Sequence, residues 1–140
     1  MSADFVSFIG PQAGDPATRE TAVAEARACI ERFSAAFNRE DIAAMDRELR
    51  FPHVMLSSER RLEWPAPGQH PADLFDALRR GGWAESVHLS IEPLLVAADK
   101  VDFKVIYERR GQDGRAISRH ENVWIVVRER GRWGIALRSY

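Results

Sequence analysis

Four extended segments follow one another through the C-terminal half of the chain, at 84–97, 101–110, 115–128 and 132–140. Each is rich in β-branched and aromatic residues. The breaks between them are Ala98-Asp99-Lys100, Gly111-Gln112-Asp113-Gly114 and Glu129-Arg130-Gly131. Connections of that length join neighbouring antiparallel strands, so this half reads as a meander. Val101, Phe103, Val105 and Tyr107 alternate onto one face, and Asp102, Lys104 and Glu108 onto the other. Several segments exceed the usual strand length of about five or six residues. Strands that long twist and curl, and a curled sheet laid beside a long helix encloses a cone.

The N-terminal half supplies the helix. Asp15-Pro16 offers a carboxylate for the free N–H groups and a proline at the first turn. Val23, Ala26, Ile30, Phe33 and Phe37 then recur at spacings of three and four, one apolar stripe that stops at Asn38. A short second helix is expected from Asp41, with Ile42, Met45 and Leu49 on one face and Phe51-Pro52 ending it. Residues 53–64 read as two short strands around Ser58-Glu59, and Pro65-Ala66-Pro67-Gly68 as a loop. Pro71 opens a third helix that buries Leu74, Phe75 and Leu78 and closes at Gly81-Gly82. Residues 1–14, ending in Gly10-Pro11 and Gly14, are expected to form a flexible arm, and residues 15–140 one domain.

At 140 residues the chain has room for one core. Twenty basic residues against 21 acidic ones give a net charge of −1. The two signs are interleaved, as in Arg128-Glu129-Arg130, so no basic stripe for nucleic acid or an anionic membrane is expected. A single cysteine, Cys29, permits no intrachain disulfide and lies in the helical stripe, where a small core residue is expected rather than a reactive thiol. The start lacks the pattern of a secretory signal, no stretch approaches the ~20 apolar residues of a bilayer span, and a cytoplasmic protein is expected. No H-x-H or C-x-x-C spacing points to a metal, and no motif points to a cofactor.

Two local patterns resemble a known superfamily. Arg32-Phe33-Ser34-Ala35-Ala36-Phe37-Asn38-Arg39-Glu40-Asp41 is similar to the end of the first helix in nuclear transport factor 2-like proteins, also called SnoaL-like or ketosteroid-isomerase-like. Gly131-Arg132-Trp133-Gly134-Ile135 is similar to their last hairpin. The resemblance covers about residues 17 to 140. It implies an α+β domain with a cone-shaped, strongly bent antiparallel sheet of about six strands wrapped around a long N-terminal helix and two shorter helices. It also implies a homodimer through the outer face of the sheet. The superfold hosts enzymes, binding proteins and assembly modules, so it does not fix a function. Ketosteroid isomerase uses a carboxylate base and two oxyanion donors, a tyrosine and a protonated aspartate. Ungapped comparison sets Phe33 at the tyrosine and Ser57 at the base, with the aspartate near Glu121 to Val123, which argues against steroid isomerisation.

The residues themselves give candidates. Tyr107 and Arg109 share a face, where Arg109 could clamp a carboxylate or phosphate. Glu121 shares a face with Ile117, Val123 and Ile125, so it is a candidate acid or base inside the cone. His53, at the start of the first strand, is a second candidate base. Phe33, Phe37, Trp64, Trp83, Tyr107, Arg109 and Trp133 are the expected ligand-binding set. Each has a bland alternative: an ion pair between Arg109 and Glu121, a histidine packed in the core, tryptophans that only fill space. His88 and His120 are expected on the polar side of their strands, and Trp124, with His120 and Asn122, on an outer face suited to dimerisation. Three functions fit: an isomerase, lyase or hydrolase using acid–base chemistry on a small organic molecule, a non-catalytic binder of such a molecule, or a dimeric assembly module.

Overall fold

A computed structural model describes residues 3–140. The elements run α1 (Ala3–Phe8), α2 (Pro16–Asn38), α3 (Ile42–Arg47), β1 (Leu49–Ser57), β2 (Arg60–Trp64), α4 (Leu74–Arg80), β3 (Glu85–Val96), β4 (Lys100–Arg110), β5 (Ala116–Glu129) and β6 (Arg132–Ser139). The six strands form one sheet in the order β2-β1-β6-β5-β4-β3. The meander β3-β4-β5-β6 is antiparallel as expected, but β6 pairs parallel with β1, so the sheet is mixed. No helix among the described residues is long and apolar enough to cross a membrane.

The long helix α2 starts where its sequence predicts. Asp15 accepts the Thr18 backbone N–H at 2.8 Å, and Pro16 occupies the first turn. Ala22, Ala26, Cys29, Ile30, Phe33 and Ala36 form its buried stripe. They pack on Val101, Phe103 and Val105 of β4, Val126 of β5 and Ile135 of β6. Cys29 is fully buried, and burial pushes its thiol up to about 12, so it is a core residue and not a nucleophile. Asn38 ends the helix by reaching sideways. Its amide donates to the Ser86 carbonyl at 2.8 Å and accepts the Ser86 N–H at 2.9 Å.

Two boundaries differ from expectation. The short helix ends at Arg47, and Leu49 through Phe51-Pro52 belongs to β1. Pairing with β6 overrides the helical register here: Leu49 lies opposite Ile135, and the register shifts before Val54, where Pro52 has no N–H to give a ladder. The approach is close because Gly134 has no side chain. A Cβ there would stand 3.0 Å from the Arg50 nitrogen and 3.2 Å from the Leu49 carbonyl carbon. Within the expected arm, residues 3–8 form the helix α1, with Phe5, Val6, Phe8 and Ile9 exposed. The arm's first two residues lie outside the described ones.

Candidate functional site

Register decides what faces the cone. On β4, Val101, Phe103, Val105 and Tyr107 point inward and are buried, as the alternation predicts. Opposite them on β5 stand Val126, Trp124, Asn122 and His120, so the inward set of β5 is the even-numbered one. That corrects the sequence reading. Glu121 lies on the outer face, 3.8 Å from Lys104 and with more than half its side chain exposed. Trp124, expected outside, is buried against Phe33 with ring centroids 5.7 Å apart. On β6 a bulge between Ile135 and Leu137 restores the inward face at Arg138, which pairs with Trp124.

These elements enclose a cavity of about 190 Å³. An apolar protein cavity of ~150 Å³ accepts benzene, so this one suits a single ring with a short substituent. Phe33, Ser34 and Phe37 of α2, Met45 of α3 and Met55 of β1 line one side. Trp64, His70, Pro71, Leu74 and Leu78 close it from β2, the following loop and α4. Ser86, His88, Tyr107, Arg109, Trp124, Arg138 and Tyr140 come from the sheet and its last residue. Of the expected ligand-binding residues, Phe33, Phe37, Trp64, Tyr107 and Arg109 therefore meet at the cavity. Trp83 does not: it packs behind Phe37 at 5.6 Å and donates its indole N–H to Ser86 at 3.0 Å. Trp133 is elsewhere, donating to Glu25 at 2.7 Å beside α2.

His53 stands one layer behind the wall and is fully buried. Its Nδ1–H donates to the Ile135 carbonyl at 2.8 Å, and its Nε2 accepts the Arg138 Nε–H at 3.0 Å. Burial first, and then the Arg138 charge, hold its pKa down to about 3. A ring so fixed orients Arg138 and has no free nitrogen for a substrate.

Two histidines do face the cavity, His88 and His70, and the one beside a carboxylate is His70. Its Nδ1 lies 3.1 Å from Asp46 Oδ1, a contact at ion-pair distance though not aligned as a hydrogen bond, and Nε2 has no protein partner. Asp46 is itself held by the Gly68 N–H at 3.0 Å, and Trp64 packs edge-on to the His70 ring at 4.5 Å. Burial and Arg138 lower the His70 pKa and outweigh the opposite pull of Asp46, so the ring is neutral near pH 7. His88 is likewise kept neutral by burial. Its Nε2 is hydrogen-bonded to the Ser34 hydroxyl, and its Nδ1 is unpartnered. Tyr107 stacks on His120 at 4.8 Å, and burial, reinforced by Tyr140, raises its phenol despite Arg109 and Arg138.

Sequence reasoning missed His70, Asp46, Arg138 and the inward Trp124. His70 sits in a loop without periodicity. Arg138 follows a bulge that alternation does not anticipate. The one available signal was in β5, where Ser118, His120, Asn122 and Trp124 form a polar and aromatic row of constant spacing.

No family model matches this chain, and no curated protein matches it in sequence. Solved structures do match. A protein of unknown function with a cystatin-like fold from Nostoc punctiforme is 12% identical, with 83% of this chain and 86% of that one covered and a TM-score of 0.63. A hexachlorocyclohexane dehydrochlorinase from Novosphingobium barchaimii is 13% identical over 89% and 88%, with a TM-score of 0.62. A ketosteroid isomerase-like protein from Erwinia carotovora atroseptica is 17% identical over 83% and 92%, with a TM-score of 0.60. At such identities the likeness shows the fold: this chain has the nuclear transport factor 2-like, or cystatin-like, architecture.

Proposed function

We propose that the cone binds a small organic molecule and moves a proton on it, in the manner of an isomerase, lyase or hydrolase, with His70 as the base. The observation that carries this reading is the His70 ring: neutral, in the cavity wall, with Asp46 at Nδ1 and nothing at Nε2. A general base is held in this way, since a carboxylate beside the ring supports the charge it gains. Two proteins of this fold bear the names of a dehydrochlorinase and a ketosteroid isomerase-like protein, which is consistent with proton chemistry in such a cone. Steroid isomerisation is not proposed: Phe33 stands in the wall without a hydroxyl, and Ser57 is not in the wall. An open cavity speaks against a purely structural cone. We also propose a homodimer through the outer sheet face.

The test is hydrogen–deuterium exchange, followed by NMR, on a panel of aryl ketones and aryl keto acids in heavy water. The wild type should exchange the acidic carbon proton of at least one compound, and His70→Asn should lose about 10²–10⁴-fold. The neutral ring is the active form, so the rate should fall only as pH drops through its lowered pKa, below the ordinary value of 6.5. Equal exchange by His70→Asn would remove His70 as the base. Binding without exchange by any compound would leave the non-catalytic binder as the better account.

A further inference from the structure

Arg138 is 6% exposed, and its side chain forms the floor of the cavity. Its hydrogen bonds go to an imidazole nitrogen, His53 Nε2 at 3.0 Å, and to a thioether, Met55 Sδ at 3.3 Å. None goes to an oxygen. Among the described residues no carboxylate lies within ion-pair distance of it. The rings of Phe33, Trp124 and Tyr140 stand 5.1, 5.8 and 6.0 Å from the guanidinium carbon and offer only their π-faces. A buried guanidinium normally meets a carboxylate or phosphate, because an uncompensated charge is costly away from water. Here none of the described residues supplies an anion: His53 is neutral, and Asp46 is engaged with His70 and Gly68.

The rest of the wall agrees. Arg109 is a second cation in it, and among the described residues it has no carboxylate partner and the lining has no Asp or Glu. The Trp124 indole N–H is buried, unpartnered and part of the same wall. The remaining polar groups of the lining are neutral, Ser34, His70, Ser86, His88, Tyr107 and Tyr140, and the side formed by Phe37, Met45, Leu74 and Leu78 is apolar. We infer that the cavity takes a small carboxylic acid with one aromatic or branched apolar group, its carboxylate on Arg138 and its apolar end among Phe37, Leu74 and Leu78. A planar carboxylate fits a guanidinium fork with two parallel hydrogen bonds, and the Trp124 N–H can supply a third. The inference rests on the cavity being the ligand site, and it does not require His70 to act as a base.

The experiment is calorimetric titration with phenylacetate, 3-phenylpropionate and cinnamate, each paired with its primary amide, in Tris–HEPES buffer without added chloride. Each amide has the shape of its acid without the charge. The carboxylates should bind about 10- to 100-fold more tightly than the amides, the range expected of a charge-assisted pair. Arg138→Met should bring the acids down to the amides, and Arg138→Lys should restore part of the difference. Should the Arg138 variants fail to fold, the wild-type acid–amide comparison decides alone. Equal affinities, or no binding of any of the three acids at millimolar concentration, would overturn the inference. In His70→Asn the preference for acids should persist; exchange of neutral ketones by a wild type indifferent to charge would keep the proton-transfer reading and sink this one.

Discussion

His53 shows how a side chain can serve a site without touching its ligand. Both of its nitrogens are engaged, one with the Ile135 carbonyl and one with the Arg138 guanidinium, and that arrangement requires the neutral ring. Its folded pKa of about 3 lies far below the ordinary 6.5. Between those values the unfolded chain binds a proton that the folded chain refuses, so stability falls as pH drops through that window. The loss amounts to roughly 3–5 kcal/mol by the bottom of the window. Urea denaturation at about pH 7.5 and about pH 5 should show the fall, and His53→Gln, which can still accept from Arg138, should flatten it. An unchanged pH slope in His53→Gln would move the acid sensitivity elsewhere, to His70 or His88.

Among the elements, α2 is joined to β3 by the Arg27–Ile91 and Ser34–His88 hydrogen bonds and, at its C-terminal end, by one amide. Asn38 satisfies both the N–H and the C=O of Ser86, beside the cavity wall. Asn38→Ala should cost about 1–3 kcal/mol, read as a lowered denaturation midpoint, while Asn38→Asp should recover only the half that accepts the N–H. Asn38 was legible as a helix stop but not as a clamp, since its partner is far along the chain. Strands were legible in proportion to how greasy their inner faces are. β4 buries Val101, Phe103 and Val105, and simple alternation placed them correctly. β5 turns His120, Asn122 and Trp124 inward and leaves Val123 and Ile125 half-buried outside, which inverts the rule that apolar means inside. Of the three, Trp124 lines the cavity, His120 stacks behind it on Tyr107, and Asn122 is buried between the sheet and α2 without facing the cavity. Trp124, which helped to hide the register, is thus the residue of β5 that marks the cavity.

For the whole molecule, α2 and its neighbours cover only the concave side of the sheet. Ile106, Val123 and Ile125 lie mid-sheet on the convex side, half-buried, beside the exposed Lys104–Glu121 pair. A homodimer through this face predicts sedimentation at twice the chain mass, and Val123→Glu should shift the protein to monomers while leaving its circular dichroism unchanged. A wild type that sediments as a monomer at tens of micromolar would end the dimer proposal.

The dimensions of the cone act as a sieve. At about 190 Å³ it holds little more than one six-membered ring and a short tail. Fused polycycles should therefore bind less well than single rings, whatever chemistry the wall offers them, and titration with naphthyl and phenyl acids of equal tail length checks this. The molecules that pass are few enough to be tried one after another.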